Sequence, residues 1–213
     1  MKKLSSKFLI TGILSGAMLL TTHVHAQQNE VPLDEQNLTE PIQPPENNDS
    51  VVATDKTLER LFESLRKDAK TESASATARQ IWREWAHSGN KSVDLLMEWA
   101  AASMRGEEYS RAQDLLDQIV VIAPQYAEGW NRRATLYYYM QDFSRSIADI
   151  ETTLRLEPRH FGALSGLAAI MQRLDKDEEA LKAWYKVLEI YPANEQAQES
   201  VIKLEEKLSG SRT

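Results

Sequence analysis

The sequence predicts an all-α protein assembled from stacked helix pairs, and three observations carry that expectation. The last three prolines, Pro124, Pro158 and Pro192, are spaced 34 residues apart. Side-chain size repeats with the same step: Ala100, Ala134 and Ala168 are small, Ala112, Ser146 and Ala180 are small, and Leu116, Ile150 and Trp184 are large and apolar. Between these columns apolar residues recur three and four apart, as in Leu115, Leu116, Ile119, Val120 and Ile122, which lays one stripe along a helix. A fixed period of this size marks supersecondary units that bury their apolar faces on one another.

Taken in order, residues 1–26 read as an address rather than as structure. Lys2, Lys3 and Lys7 precede the uncharged run Phe8 to Leu20, and Val24-His25-Ala26 supplies a cleavage site, so a secretory signal peptide cut after Ala26 is expected. The run is short of the roughly 20 apolar residues that a spanning helix needs. The mature chain is therefore expected to be exported to the periplasm and soluble. An uncleaved signal anchoring it in the inner membrane is the alternative. Residues 27–50 hold Pro32, Pro41, Pro44, Pro45 and six acids with no Lys or Arg, a composition too polar to offset its chain entropy. A disordered acidic linker is expected there, with a binding tail as the alternative; Asn37-Leu38-Thr39 matches the glycosylation pattern that occurs often by chance.

Residues 51–92 carry two stripes, one through Leu58, Leu61, Phe62 and Leu65 and one through Ala78, Ile81, Trp82 and Trp85. Stepping 34 back from Leu96, Ala112, Leu116 and Ile119 lands on Phe62, Ala78, Trp82 and Trp85, so this segment reads as a degenerate repeat or an N-terminal cap. Three units follow, at 93–126, 127–160 and 161–194. Each divides into two short helices at a breaker: Gly106 before Tyr109, Gln141-Asp142 before Phe143, and Asp175 to Asp177 before Ala180. Asp142 stands where an N-cap carboxylate accepts a backbone N–H. In 195–213, Ala197, Val201, Leu204 and Leu208 share one face opposite Glu and Lys residues, as a solvating cap helix requires.

The three units resemble the tetratricopeptide repeat. The closest copy, 127–160, has Trp130, Ala134, Tyr137, Phe143, Ser146, Ile150 and Pro158 at matching places. Residues 93–126 match through Leu96, Trp99, Ala100, Tyr109, Ala112, Leu116 and Pro124. Residues 161–194 match through Leu164, Leu167, Ala168, Ala180, Trp184 and Pro192, and together the copies span 102 of 213 residues. The resemblance implies a right-handed superhelix of about nine helices. Two departures stand out. Arg133 occupies the column of Trp99 and Leu167, where a charge must snorkel or find an acid. Asp177 replaces the aromatic kept as Tyr109 and Phe143.

Chemistry has little to build on. The absence of Cys excludes disulfides, thiolate zinc sites and a cysteine nucleophile. After processing only His87 and His160 remain, in different units, and both read as ordinary surface or inter-helix residues. No metalloprotease, Walker or dinucleotide motif occurs, and Gly162 to Gly166 has GxxSG rather than nucleophile-elbow spacing. Neither a cofactor nor a metal is expected, and an enzyme with an unrecognised site is the least favoured reading. A net charge of −7 argues against nucleic acid.

What remains is a surface. The resemblance implies that first helices line a groove for another protein or peptide. Its candidate residues are Met97, Met104 and Arg105 in the first unit, Asn131, Thr135, Tyr138 and Tyr139 in the second, and Ser165, Gln172 and Arg173 in the third. Asp94, Glu128 and Gly162 share one column of that groove, Ala101 and Ala169 another. Tyr137 is expected in the core. The two-Lys, two-Asn carboxylate clamp of chaperone-binding members is not reproduced; only Asn131 matches it. The expected function is a non-catalytic envelope adaptor, and the rival is a self-assembling envelope scaffold.

Overall fold

A computed structural model describes residues 48–68 and 70–210, with side chains from 56 onward. The signal-peptide assignment, its cleavage at Ala26 and the linker up to residue 47 lie outside these residues. Nine helices and no strand occur among the described residues: α1 (Asn48–Lys67), α2 (Thr71–Trp85), α3 (Lys91–Arg105), α4 (Tyr109–Ile122), α5 (Ala127–Tyr139), α6 (Phe143–Leu156), α7 (Phe161–Arg173), α8 (Asp177–Ile190) and α9 (Glu195–Gly210). The described part is an all-α helical-repeat superhelix. Helix α1 opens at Asn48, inside the span read as linker. Asn, Asp and Ser at 48–50 are residue types that favour helix starts as much as coil.

The period of the sequence is also a period of the backbone. Glu107, Gln141 and Asp175 sit at left-handed φ of 58°, 60° and 55°, one in each turn between paired helices. Beside them Glu108, Asp142 and Lys176 donate their N–H to the carbonyls of Ser103, Tyr137 and Met171 at 2.9 Å, closing the end of the preceding helix. The second helix of each pair ends just before proline. There Ala123, Glu157 and Tyr191 take φ of −128°, −134° and −131°, the extended geometry imposed on a residue preceding proline. At the other end of α6, the Asp142 carboxylate accepts from Arg145 N at 3.1 Å.

The small columns are where paired helices cross. Ala100, Ala134, Ala168, Ala112, Ser146 and Ala180 are all buried, and Ser146 Oγ donates to Ala134 O at 2.8 Å. Trp184 is buried, while Trp130 is half-buried and donates Nε1–H to Pro124 O at 2.9 Å. Arg133 finds its acids. It pairs with both carboxylate oxygens of Asp149 at 2.7 and 2.9 Å and with Asp117 at 2.8 Å. The Asp149 bonds above all, with Asp117 assisting, raise its guanidinium further above its already high range. Helix α9 closes on α8 through Ala197, Val201 and Leu204, while Lys207 meets Asp177 at 2.6 Å.

The hairpin α1–α2 departs from the register that the 34-residue step implies. A further repeat would stack its second helix on α3. Instead Phe62, Leu65, Ile81 and Trp85 join a core with Phe161, Leu164, Val187 and Tyr191, which belong to α7, α8 and the turn after α8. The reason is aromatic and steric. Trp85 stacks on His160 with ring centroids 4.0 Å apart and planes 8° apart, and Trp82 meets the edges of His160 and Phe161 at 5.4 and 5.5 Å. A Cβ on Gly162 would lie 2.5 Å from the Trp82 ring, so only glycine leaves room for it. Polar links lock the seat: Ser75 Oγ to Tyr191 Oη at 3.1 Å, Tyr126 Oη to Ala86 O at 2.9 Å, and Arg159 to Glu59 at 2.7 Å.

Candidate functional site

Two clefts open along the first helices of the three repeats. The first, about 260 Å³, runs between α5 and α7 and is lined by Asn131, Thr135, Tyr138, Tyr139, Ser165 and Ala169, among others. Its floor is Ala134, Ser146 and Ile150, part of the helix crossing itself. The second lies between α3 and α5 and is walled by Met104, Arg105, Tyr109, Arg132, Thr135 and Tyr139. Thr135 and Tyr139 belong to both, so the two clefts share a rim. Tyr139 is 57% exposed, Tyr138 is half-buried and Tyr137 is in the core. This follows from three successive residues facing about 100° apart on one helix.

Seven of the ten candidate groove residues therefore gather on this surface: Met104, Arg105, Asn131, Thr135, Tyr138, Tyr139 and Ser165. Arg173 borders it, its guanidinium carbon 5.7 Å from the Tyr138 ring centroid. Gln172 is turned to its own repeat, accepting from Trp184 Nε1 at 3.2 Å. Met97 does not reach the clefts. It is buried with Val93, Ala100 and Leu136, where a flexible thioether fills the space between helices. Ala26 lies outside the described residues.

At the base of the groove the hairpin occupies a column expected to be open. Glu128 is 2% exposed and His160 fully buried. His160 Nδ1 accepts from Ala163 N at 3.1 Å, which leaves Nε2 to carry the hydrogen it shares with Glu128 Oε2 at 3.2 Å. Asn131 Nδ2 and an Arg132 guanidinium nitrogen donate to the same carboxylate at 2.8 and 2.6 Å. Burial pushes the Glu128 carboxyl up, but the His160 bond, the Arg132 charge and the Asn131 bond together hold it below its ordinary value. Gly162 is covered by Trp82, and Asp94 accepts from Ser88 N and Oγ at 2.8 and 2.6 Å. Asp94 and Gly162 are thus spent on the segment preceding α3, and Glu128 on His160, Asn131 and Arg132.

Sequence reasoning missed three residues. Gln196, at the start of α9, lines the cleft between α5 and α7, while Trp82 covers Gly162 and Trp85 stacks on His160. The available signal was Gly162 itself, a residue without a side chain in a column otherwise filled by Asp94 and Glu128.

No family model matches the chain. A TPR repeat-containing protein of Rhizobium etli is 46% identical over 156 residues, spanning 73% of this chain and 76% of that protein. The small glutamine-rich tetratricopeptide repeat-containing protein 2 of Saccharomyces cerevisiae is 28% identical over 131 residues, 62% of this chain but 36% of the yeast protein. Among solved structures, the first TPR domain of Spaghetti (RPAP3) bound to an HSP90 peptide has a TM-score of 0.52 at 25% identity and covers 55% of this chain and 93% of that domain. The Sgt2 TPR domain from Aspergillus fumigatus has a TM-score of 0.53 at 23% identity, covering 58% and 83%.

Proposed function

The chain belongs to the tetratricopeptide-repeat family, and we propose that it is a non-catalytic adaptor of the bacterial cell envelope that holds a short helix or extended segment of a partner protein. The observation that carries this reading is the cleft between α5 and α7. Small residues at Gly162, Ser165, Gly166 and Ala169 make space on one wall, and Tyr138 and Tyr139 offer amphipathic faces on the other. Aromatic side chains flanking a small-residue pocket suit a protein ligand, because they contribute large contact area at low entropy cost. The polar groups at the groove's base are committed to one another, so the reading assigns them no catalytic step. The envelope location rests on the lysine-rich start, the Phe8 to Leu20 run and the cleavage pattern at Ala26. No helix among the described residues is long and apolar enough to cross a membrane.

Affinity capture from an envelope extract tests the cleft. Tyr138→Ala with Tyr139→Ala should leave the helical circular dichroism unchanged and reduce recovery of the captured partner at least tenfold. Undiminished recovery by the folded double variant overturns the groove assignment. Fractionation of the producing cell tests export, and a chain that retains residues 1–26 in the cytosol defeats it.

A further inference from the structure

The polar side chains of the cleft between α5 and α7 have their hydrogens committed elsewhere. Thr135 Oγ1 donates to Asn131 O at 2.9 Å, Ser165 Oγ to Phe161 O at 2.8 Å and Ser146 Oγ to Ala134 O at 2.8 Å. Each hydroxyl therefore has only lone pairs left for other groups. Asn131 is in the same position. It is 8% exposed, and its Nδ2 donates to the Glu128 carboxylate at 2.8 Å. An ionised carboxylate accepts and cannot donate, so the orientation of this amide is forced and Oδ1 is the atom left for the cleft. Oδ1 has no hydrogen-bond partner among the described residues. Thr135 lies one turn beyond Asn131 on the same face of α5, and Ser165 lines the cleft from α7. No acidic or basic side chain lines it among the described residues.

We propose that this cleft takes the side-chain carboxamide of a glutamine or asparagine on the partner segment. The inference rests on the groove reading above and names the group that the groove selects. A carboxamide brings two N–H donors to Asn131 Oδ1 and the hydroxyl oxygens. Its own oxygen faces the rim, where the Tyr139 hydroxyl and the Gln196 amide are exposed donors. The isosteric carboxylate of glutamate or aspartate has no hydrogen to give, so it would sit against acceptors. A lysine or arginine has donors but sets a second cation beside Arg173. That guanidinium carbon lies 5.7 Å from the Tyr138 ring centroid, and Arg173 forms no ion pair among the described residues. An aliphatic side chain fills the space but leaves Asn131 Oδ1 without a donor.

A random-peptide library displayed on phage, panned on the chain as its producing cell leaves it, tests this. Clones that bind the unaltered chain but not the folded variant with Tyr138→Ala and Tyr139→Ala mark the groove. These should share a glutamine or asparagine at one position. In a synthetic copy of the tightest clone, the matching acid in place of that amide should weaken binding about tenfold by titration calorimetry. Thr135→Val and Ser165→Ala remove hydroxyls that bond only within their own helices. Each should weaken the amide peptide severalfold but not its acidic copy. Groove-binding clones without a shared glutamine or asparagine overturn the proposal and leave the groove standing. So does an acidic copy that binds as tightly as the amide, or a ratio between the two that neither variant changes. A library with no tyrosine-dependent clone overturns the groove reading itself, and this proposal with it.

Discussion

The repeats and the hairpin are both helical and both amphipathic, yet they are held by different rules. In α3 to α8 each helix packs on its neighbours in sequence, with small residues at every crossing. In α1–α2 the decisive contacts are to residues far along the chain: Ser75 to Tyr191 and Glu59 to Arg159. A repeat array is stabilised by intrinsic unit terms plus nearest-neighbour terms. The hairpin has no such obligation, so it goes where its aromatic side chains find the most partners. Periodicity identifies neighbours; it does not place a segment that has left the period.

Three measurements can break or sharpen this contrast. The largest effect is expected from Trp85→Ala, which empties the stack on His160 and should cost about 3–5 kcal/mol. Hydrogen exchange should then quicken throughout α1 and α2 while α3 to α6 keep most of their protection. If α3 to α6 lose protection equally, hairpin and array form one cooperative unit and the contrast is wrong. Next, Ala134→Leu overfills the crossing at which Ser146 Oγ meets the Ala134 carbonyl, at a cost of about 1–3 kcal/mol. The urea midpoint should fall, with exchange quickening first in α5 and α6. An unmoved midpoint would contradict the placement of that column.

The smallest effect concerns acid. Glu128 is faced by His160 and Arg132, with Asn131 donating and Tyr126 nearby. Its carboxyl is held below its ordinary value in the folded chain, so the unfolded chain takes up the proton first as pH falls. The stability it lends is complete above the unfolded value of about 4.3 and is lost as pH drops from there through the lower folded value. Glu128→Gln should flatten that limb of a melting-temperature profile. A variant whose acid limb matches the unaltered chain would show that the pair does not secure the hairpin's seat.

Much of the architecture is legible without coordinates. Pro124, Pro158 and Pro192 end helices because proline cannot continue one, and the small columns at Ala100, Ala134 and Ala168 mark close approaches wherever they stand. Arg133 is legible as a charge in an apolar column, though not that Asp149 and Asp117 would share it. Of the groove, Thr135, Tyr138, Tyr139 and Ser165 converge because a helical column is a face. Met97 does not, because an unbranched side chain follows available space rather than its column. The hairpin's seat is not legible. Phe62, Ala78, Trp82 and Trp85 fit the repeat columns by size, and size alone cannot separate stacking on α3 from stacking on His160.

The hundred residues between Glu59 and Arg159 also set a schedule. At about 5–20 residues per second, a ribosome needs roughly 5–20 seconds to make that stretch. For most of that interval, from Trp85 onward, both indoles have been synthesised but their seat around His160 has not. A newborn chain must therefore carry an unsheltered pair of indoles while the repeats assemble, which makes this stretch the natural handhold for a chaperone.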